Sequence, residues 1–425
     1  MTSPPDPARR AALDLLTAAL AQRAGLEQAL DARSMAALEP KDRAFARALV
    51  MATLRRLGQI DAALHQRLRS PPPEPVRMIL RLGVAQLFFL DTPAFAAVNT
   101  SVDLAEASPA ARPFKGLVNA VLRRLQREGM PEADPEVLAP PWLFARWRAA
   151  FGEDAARAVA AQIAEEPATD LTPRDPTAAA GLAKELEAEL LSGGSMRRAA
   201  RGRLEDWPGF AEGRWWVQDA AAAIPVRLLD PQPGETVLDL CAAPGGKALQ
   251  VAAAGAKVTA VDRSPARLKR LAAALARTGL AAEVIAADVG AWPDERAFDA
   301  VLLDAPCSAT GTFRRNPDVL WAARPGDIAK LAEVQSRLLD AAAERVKPGG
   351  RLVYCVCSLE PEEGEEQARA FLKRRRDFSI LAVSAGEGGA PGHSTVPGGW
   401  LRILPHQMDG GLDGFFIARF RRRSG

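Results

Sequence analysis

The chain has 425 residues, enough for two to four domains, and its 48% hydrophobic and 25% charged residues are typical of a soluble globular protein. The first ten residues carry no apolar segment, which excludes a secretory signal. The most apolar stretch, Val84 to Leu90, is far shorter than the roughly 20 residues that span a bilayer. We therefore expect a cytoplasmic protein with no membrane contact.

Charge is unevenly distributed along the chain. Residues 1–130 carry 18 Lys and Arg against 12 Asp and Glu, residues 131–215 carry 10 against 15, and the remainder carries 27 against 25. A basic N-terminal region suggests a polyanionic partner, although a solvated basic face is the alternative. The four cysteines, at positions 241, 307, 355 and 357, form no paired CxxC units, so we expect neither a metal site nor disulfides.

The first third of the chain is predicted to be helical throughout. Apolar residues recur at helical spacing over residues 8–22, 43–56, 98–107 and 114–127. A further helix is predicted between the proline-rich break at 70–75 and Leu90. A linker rich in proline and acids follows at 130–141. Further helices are predicted at 141–152, 153–164 and, rich in acids, near 182–191. The sequence therefore predicts that residues 131–214 form a linker and a small α+β module.

The helical region resembles the NusB-like RNA-binding domain. The resemblance lies in Phe45-Ala46-Arg47, Ile79 to Leu87, Ala97-Val98-Asn99 and Phe114 to Arg123. It implies that residues 1–130 form an all-α domain that binds RNA or ribosomal partners.

The stretch from Thr236 to Lys247 predicts a strand, a tight loop and the start of a helix. Its two glycines allow a close backbone approach to a ligand, and the free N–H groups at the helix start can hold a polar group. The loop lacks both G-x-G-x-x-G and the P-loop pattern, which disfavours a standard dinucleotide or a phosphate cradle. A plain turn is the alternative for a lone Gly-Gly pair.

Strands and helices then alternate to the end of helix 362–376. Strands are predicted at 257–261, 282–286, 298–303 and 351–356, with helices at 264–278 and 328–346. This alternation is typical of a Rossmann-like, mostly parallel sheet, and we expect seven strands. Ligands bind at the carboxyl ends of the strands in such sheets.

Four acids lie at or near those strand ends: Asp239, Asp262, Asp288 and Asp304. A single acid at a strand end is as often a helix N-cap as a ligand-binding group, but four acids at successive strand ends favour ligand binding. Asp262, 17 positions after Gly245, would accept hydrogen bonds from ribose hydroxyls, and Asp288 lies where the base would be. A nucleoside without a diphosphate fits, so S-adenosylmethionine is the predicted cofactor.

Cysteines also lie at this edge. Cys307 follows Asp304-Ala305-Pro306, and Cys355 and Cys357 close a later strand. A lone cysteine is more often a small buried hydrophobe. Two thiols and an acid together suit methylation of cytosine carbon 5: a thiolate adds to carbon 6, carbon 5 attacks the methyl group, a base removes the carbon 5 proton, and the thiolate leaves.

Residues 215–425 resemble the catalytic domain of the Nol/Nop/Sun family of RNA cytosine-5 methyltransferases, and the helical front end resembles its bacterial Sun-type branch, which acts on small-subunit (16S) ribosomal RNA. Arg314 to Asp318 and Asp413 to Phe416 match family patterns. The resemblance implies Cys357 as nucleophile, Cys307 in product release and Asp304 at the target base. It implies cofactor contacts by Cys241, Ala242, Ala243, Pro244, Gly245, Gly246, Lys247, Asp262, Asp288 and Asp304. We expect a monomer.

Two departures from the family pattern concern the nucleophile. Val356 replaces the usual threonine, and Cys355 adds a thiol on the same strand face as Cys357, so strand geometry does not choose between them. An open alternative makes Cys307 the nucleophile, as in DNA cytosine-5 methyltransferases. A binding or ribosome-assembly protein with an inactive cofactor fold is the alternative from another functional class.

Overall fold

The computed structural model describes residues 6–20, 26, 33–199 and 202–424, and the chain forms two compact units in it. One unit comprises Met1–Glu165 and Arg315–Ala322, and the other comprises Glu166–Arg314 and Ala323–Gly425. The predicted domain boundaries at residues 130 and 214 stay a prediction. No helix in the described ranges combines the length and apolar character that a membrane crossing requires.

The first unit is helical, as predicted. Its helices run over Pro7–Leu20, Arg33–Ala36, Pro40–Arg55, Leu57–His65, Glu74–Phe88, Ala94–Ala107, Lys115–Glu128, Pro141–Phe151, Glu153–Ala161 and Asp318–Ala322. Residues 21 and 22 of the first predicted helix lie outside the described residues. Apolar residues at helical spacing, such as Leu49, Ile79 and Leu122, are fully buried in one core.

The segment Arg315–Ala322 joins this unit although it is distant in sequence. The Asp318 carboxylate accepts a hydrogen bond from the Leu26 backbone N–H at 3.0 Å, and Trp321 packs against the helical core. A non-local contact of this kind has no periodic signature in the sequence.

The second unit begins with a small antiparallel sheet in the order β2-β3-β1-β4. Its strands are β1 Thr169–Pro173, β2 Glu189–Leu190, β3 Met196–Arg198 and β4 Trp215–Val217, with a helix at Ala179–Glu185. The predicted acidic helix at 182–191 is therefore wrong in its second half, where the chain leaves the helix and enters β2.

The large sheet has nine strands within the described residues, in the order β11-β12-β13-β9-β8-β5-β6-β7 with β10 paired to β13. The strands are β5 Thr236–Leu240, β6 Lys257–Asp262, β7 Glu283–Ala286, β8 Phe298–Asp304, β9 Val346–Val356, β10 Phe378–Ile380, β11 Thr395–Val396, β12 Trp400–Ile403 and β13 Phe415–Arg422. Strands β5 to β9 pair in parallel and the others antiparallel.

The Rossmann-like fold is confirmed, but the expected number of seven strands is wrong. Four strands have no counterpart among the predicted ranges, namely β10 to β13, and three of them are only two to four residues long, too short to show alternation. Helices Ala220–Leu229, Gly246–Ala253 and Pro265–Thr278 pack on one face of the sheet, and Pro325–Glu344 and Glu365–Arg374 pack on the other. Strand alternation accounts for this, since Val237 faces the first layer and Leu238 the second.

Candidate active site

The loop after β5 is a turn that its small residues permit. Cys241 and Gly245 have positive φ angles of 60° and 117°, and the helix Gly246–Ala253 begins directly afterwards. A Cβ atom on Gly245 would lie 2.4 Å from Leu271 Cδ1, so glycine is required both for conformation and for space. Burial, followed by repulsion from neighbouring carboxylates, raises the pKa of Cys241 to about 12, so this thiol keeps its proton.

Asp262 lies at the end of β6 and holds this loop in place. Its Oδ2 accepts a hydrogen bond from the Ala243 N–H at 3.1 Å, and its Oδ1 accepts one from Ser264 N–H at 2.9 Å. Backbone pairing from Ala242 N–H to the Val261 carbonyl, at 3.1 Å, adds to this link. The structure therefore brings Asp262 to the predicted cofactor loop.

Asp288 follows β7 and is exposed, unlike the other predicted acids. Its Oδ1 accepts a hydrogen bond from the Gly290 N–H at 2.9 Å, which closes a local turn. Asp288 therefore lies beyond the end of a parallel strand, which is the position that its predicted role near the cofactor base requires. Its carboxylate is open to solvent.

Asp304 ends β8 and forms an ion pair with Lys247 of the cofactor loop, with 2.7 Å between Lys247 Nζ and Asp304 Oδ2. The Cys355 thiol donates to the other oxygen of the same carboxylate at 3.5 Å. Burial alone would lower the pKa of Lys247, but attraction to Asp304 and to the nearby Cys355 and Cys357 sulfurs outweighs it and raises that pKa. Lys247 is therefore a firmly charged group beside the acid and the thiols.

Cys307 and Cys357 lie in direct contact, with 3.5 Å between their sulfur atoms. Two backbone hydrogen bonds of 3.0 Å fix their segments, from Ala305 N–H to the Cys355 carbonyl and from Gly311 N–H to the Cys357 carbonyl. The hydrogen bond to Cys357 and then burial raise the pKa of Cys307 well above its ordinary value. The Cys307 thiol therefore holds its proton more tightly than an ordinary cysteine does.

The structure also distinguishes Cys355 from Cys357, which strand geometry alone could not do. Cys355 is fully buried, and burial raises the pKa of its thiol well above the ordinary value. Cys357 is partly exposed and touches Cys307. Position therefore favours Cys357 over Cys355 as the sulfur that an external substrate could reach.

Comparison with known proteins identifies the family of the chain. Residues 226–421 match the family described as 16S rRNA methyltransferase RsmB/F, and residues 6–127 match the NusB family. Ribosomal RNA small subunit methyltransferase B of Serratia proteamaculans is 38% identical, with 90% of this chain and 91% of that protein covered. The chain belongs to the ribosomal RNA small subunit methyltransferase B family. The NusB-like and methyltransferase resemblances predicted from sequence are thereby confirmed.

Members of this family occur in distant bacteria, and solved structures share the fold. The probable small subunit methyltransferase B of Synechocystis is 37% identical, with 91% of this chain and 92% of that protein covered. The crystal structure of PH0851 is 26% identical, has a TM-score of 0.77 and covers 99% of both chains. A methyltransferase homologue from Pyrococcus horikoshii is also 26% identical, with a TM-score of 0.56 over 71% of this chain and 98% of that one.

S-adenosylmethionine is the cofactor of this methyltransferase family, and the residues around the loop fit it. Asp239 is fully buried on β5, and neither of its carboxylate oxygens has a hydrogen-bond partner among the described residues. Burial, and then repulsion from Asp304, raise the pKa of Asp239 to about 8. A cationic ligand suits a loop bordered by such an acid, and S-adenosylmethionine carries both an ammonium and a sulfonium group.

Sequence reasoning missed a group of buried polar residues directly behind the thiols. Glu363, Ser358 and Gln335 are fully buried, and Ser308 lies beside them. The only sequence signal was an acidic run after Cys357-Ser358, which is typical of an exposed helix start. Within the described ranges, no cluster of three or more His, Cys, Asp or Glu side chains has metal-binding geometry.

Proposed function

We propose that this protein transfers a methyl group from S-adenosylmethionine to carbon 5 of a cytosine in small-subunit ribosomal RNA, through a covalent bond between Cys357 and carbon 6. The observation that carries this proposal is the pair of sulfurs, Cys307 and Cys357, which lie 3.5 Å apart on the segments that follow the paired strand ends at Asp304 and Cys355. An exocyclic amine or a hydroxyl needs no thiol to accept a methyl group, whereas cytosine carbon 5 does.

Each of these residues would have a distinct role in the reaction. The Cys357 thiolate adds to carbon 6, and the electron pair of the 5,6 double bond makes carbon 5 a nucleophile. Asp304, fixed by Lys247, accepts a hydrogen bond from the amino group of the base and, once ring nitrogen 3 has taken up a proton from solvent in the adduct, from that nitrogen as well, which stabilises the adduct. S-adenosylmethionine supplies an electrophilic methyl group. A base then takes the carbon 5 proton, the electrons of that C–H bond restore the double bond, and the bond between carbon 6 and sulfur breaks, so that Cys357 leaves as a thiolate.

Cys307 is assigned to the second half of the reaction. It lies within hydrogen-bond reach of Cys357, and its raised pKa favours a thiol that can exchange a proton with the departing sulfur.

Ribosomal RNA as the substrate rests on the relatives and on charge. The two curated relatives are named for ribosomal RNA of the small subunit, and the matched family is named for 16S rRNA. Residues 1–130 carry a net charge of +6, from 18 Lys and Arg against 12 Asp and Glu. Such charge supplies affinity for phosphates that weakens as salt is added. The target cytosine must leave its stack to reach two partly buried thiols.

Denaturing gels with labelled RNA and S-adenosylmethionine test the proposal. Cys307→Ala should accumulate a covalent RNA complex because release is blocked, and Cys357→Ala should form none. The double variant is the matched control and should form none, which would assign the adduct to Cys357. A complex that forms with Cys357→Ala but not with Cys307→Ala would contradict the assignment. No complex and no methyl transfer by any form would favour a ribosome-assembly protein without catalysis.

A further inference from the structure

Behind the two thiols lies a polar cluster for which the reaction above has no role. Its centre is the Glu363 side chain, which is fully buried. Oε1 accepts hydrogen bonds from the Ser308 backbone N–H at 2.9 Å and from Gln335 Nε2 at 3.0 Å. Oε2 accepts from the hydroxyl groups of Ser308 and Ser358. One carboxylate therefore collects four hydrogen bonds.

Each serine is the neighbour of one cysteine. Ser308 directly follows Cys307, and Ser358 directly follows Cys357. The two serine hydroxyls also lie 3.1 Å from each other. Glu363 therefore joins the two segments that carry the sulfurs, and it does so through atoms one residue away from each thiol.

Two buried side chains, Tyr354 and Gln335, hold Glu363 in place. The Glu363 carbonyl accepts a hydrogen bond from the buried Tyr354 hydroxyl at 2.5 Å. Gln335, on the helix Pro325–Glu344, donates both to Glu363 and, at 2.9 Å, to the Pro306 carbonyl. A buried carboxylate whose donors are supplied by fixed elements is a rigid anchor, and its removal would leave several buried donors without a partner.

We propose that Glu363, supported by Gln335, is a positioning residue that keeps Cys307 and Cys357 at the sulfur-to-sulfur distance that transfer and release require. Its catalytic meaning rests on the function proposed above, but the positioning itself does not. The alternative is a purely structural role, in which Glu363 stabilises the fold and the thiols keep their distance without it. In a folded Glu363→Gln variant, the positioning role predicts that the two sulfurs meet less often, whereas the purely structural role predicts no change.

The test measures the thiols directly, without RNA or cofactor. Diamide takes up two electrons and two protons as the Cys307 and Cys357 thiols become a disulfide, and its rate depends on how often the sulfurs meet. Peptide mass spectrometry, with fragmentation to distinguish Cys357 from Cys355, follows the bridged product in the full chain. Glu363→Gln should bridge about 10- to 100-fold more slowly than the unchanged protein, the range that misplacement by roughly 1 Å costs.

Methyl transfer by the same variant should fall in kcat by a similar factor, with little change in KM for RNA. Glu366→Gln is the matched control, since Glu366 is an exposed glutamate at the start of the helix Glu365–Arg374, directly after the Glu363 segment, and it should leave both rates unchanged. Ser308→Ala provides a milder change if Glu363→Gln does not fold, and it should slow both rates in the same direction.

The outcomes separate the two proposals. Unchanged bridging in a folded Glu363→Gln or Ser308→Ala variant overturns the positioning role, whether or not methyl transfer falls. Slow bridging together with low kcat supports it. If bridging slows while the unchanged protein transfers no methyl group to RNA, positioning stands and the proposed function fails.

Discussion

Replacing Asp239 with asparagine is expected to remove a pH-dependent loss of stability in the cofactor-free protein. The Asp239 carboxyl is fully buried without a hydrogen-bond partner among the described residues, and burial raises its pKa from 3.8 to about 8. Because the folded state holds this proton more tightly than the unfolded state, its contribution is complete below about pH 4. It is lost as the pH rises through about 8. Asparagine resembles the neutral acid and does not ionise.

The size of the effect follows from the two pKa values. Between pH 6 and pH 9, a group with a folded pKa of about 8 loses roughly 3 kcal/mol of its contribution, since each pH unit between the two values is worth about 1.4 kcal/mol. For a unit of this size, that corresponds to a fall of roughly 5 to 10 °C in melting temperature. Other groups also titrate in this range, so the quantity of interest is the difference between variant and unchanged protein.

Differential scanning calorimetry of the cofactor-free full chain at pH 6 and pH 9 measures this difference in melting temperature. The melting temperature of Asp239→Asn minus that of the unchanged protein should be roughly 5 to 10 °C larger at pH 9 than at pH 6. Asp340→Asn is the control, because Asp340 is a partly exposed acid paired with Arg374, and its difference should be the same at both pH values. Equal differences at both pH values for Asp239→Asn would refute a proton-bearing, unpartnered Asp239.

Two glycine positions give further predictions, with Gly326→Ala as a common control because nothing lies within 4 Å of a Cβ added there. Gly245→Ala should abolish binding of S-adenosylhomocysteine in calorimetry, since the new Cβ would lie 2.4 Å from Leu271 Cδ1 at a positive φ; ordinary affinity would contradict the account of the loop. Gly311→Ala would place a Cβ 2.1 Å from the Gly414 carbonyl oxygen and should cost about 1–3 kcal/mol of stability, with loss of methyl transfer. An unchanged melting temperature would contradict the close packing of these two segments.

Much of the fold follows from local sequence patterns. Helical periodicity predicted most of the helices before residue 165, and the alternation from Thr236 onward predicted the Rossmann-like sheet together with the strand-end positions of Asp262 and Asp304. The antiparallel edge could not be predicted in the same way, because β11 has two residues and β10 has three. Strand β10 forms because the distant β13 pairs with it, and β11 forms because it pairs with β12, whose own partner is β13, so both depend on a non-local condition.

The site was predictable only in part, for a similar reason. The loop and thiols stand out as residue types at strand ends, but the choice between Cys355 and Cys357 depends on burial. In the structure Cys355 lies in the core against Asp304, whereas Cys357 meets Cys307. The part played by Glu363 had no local signal, because an acidic run before a helix looks the same whether it is solvated or buried.

We propose that the methyl group is transferred to carbon 5 of a cytosine in ribosomal RNA. The most direct test of this proposal is incubation of the full chain with unmodified 16S rRNA and methyl-labelled S-adenosylmethionine, followed by digestion to nucleosides and mass spectrometry. The account predicts that the label appears in 5-methylcytidine, and that Cys357→Ala abolishes it while still binding the cofactor. Label in any other nucleoside, or 5-methylcytidine formed at the ordinary rate by Cys357→Ala, would contradict the account.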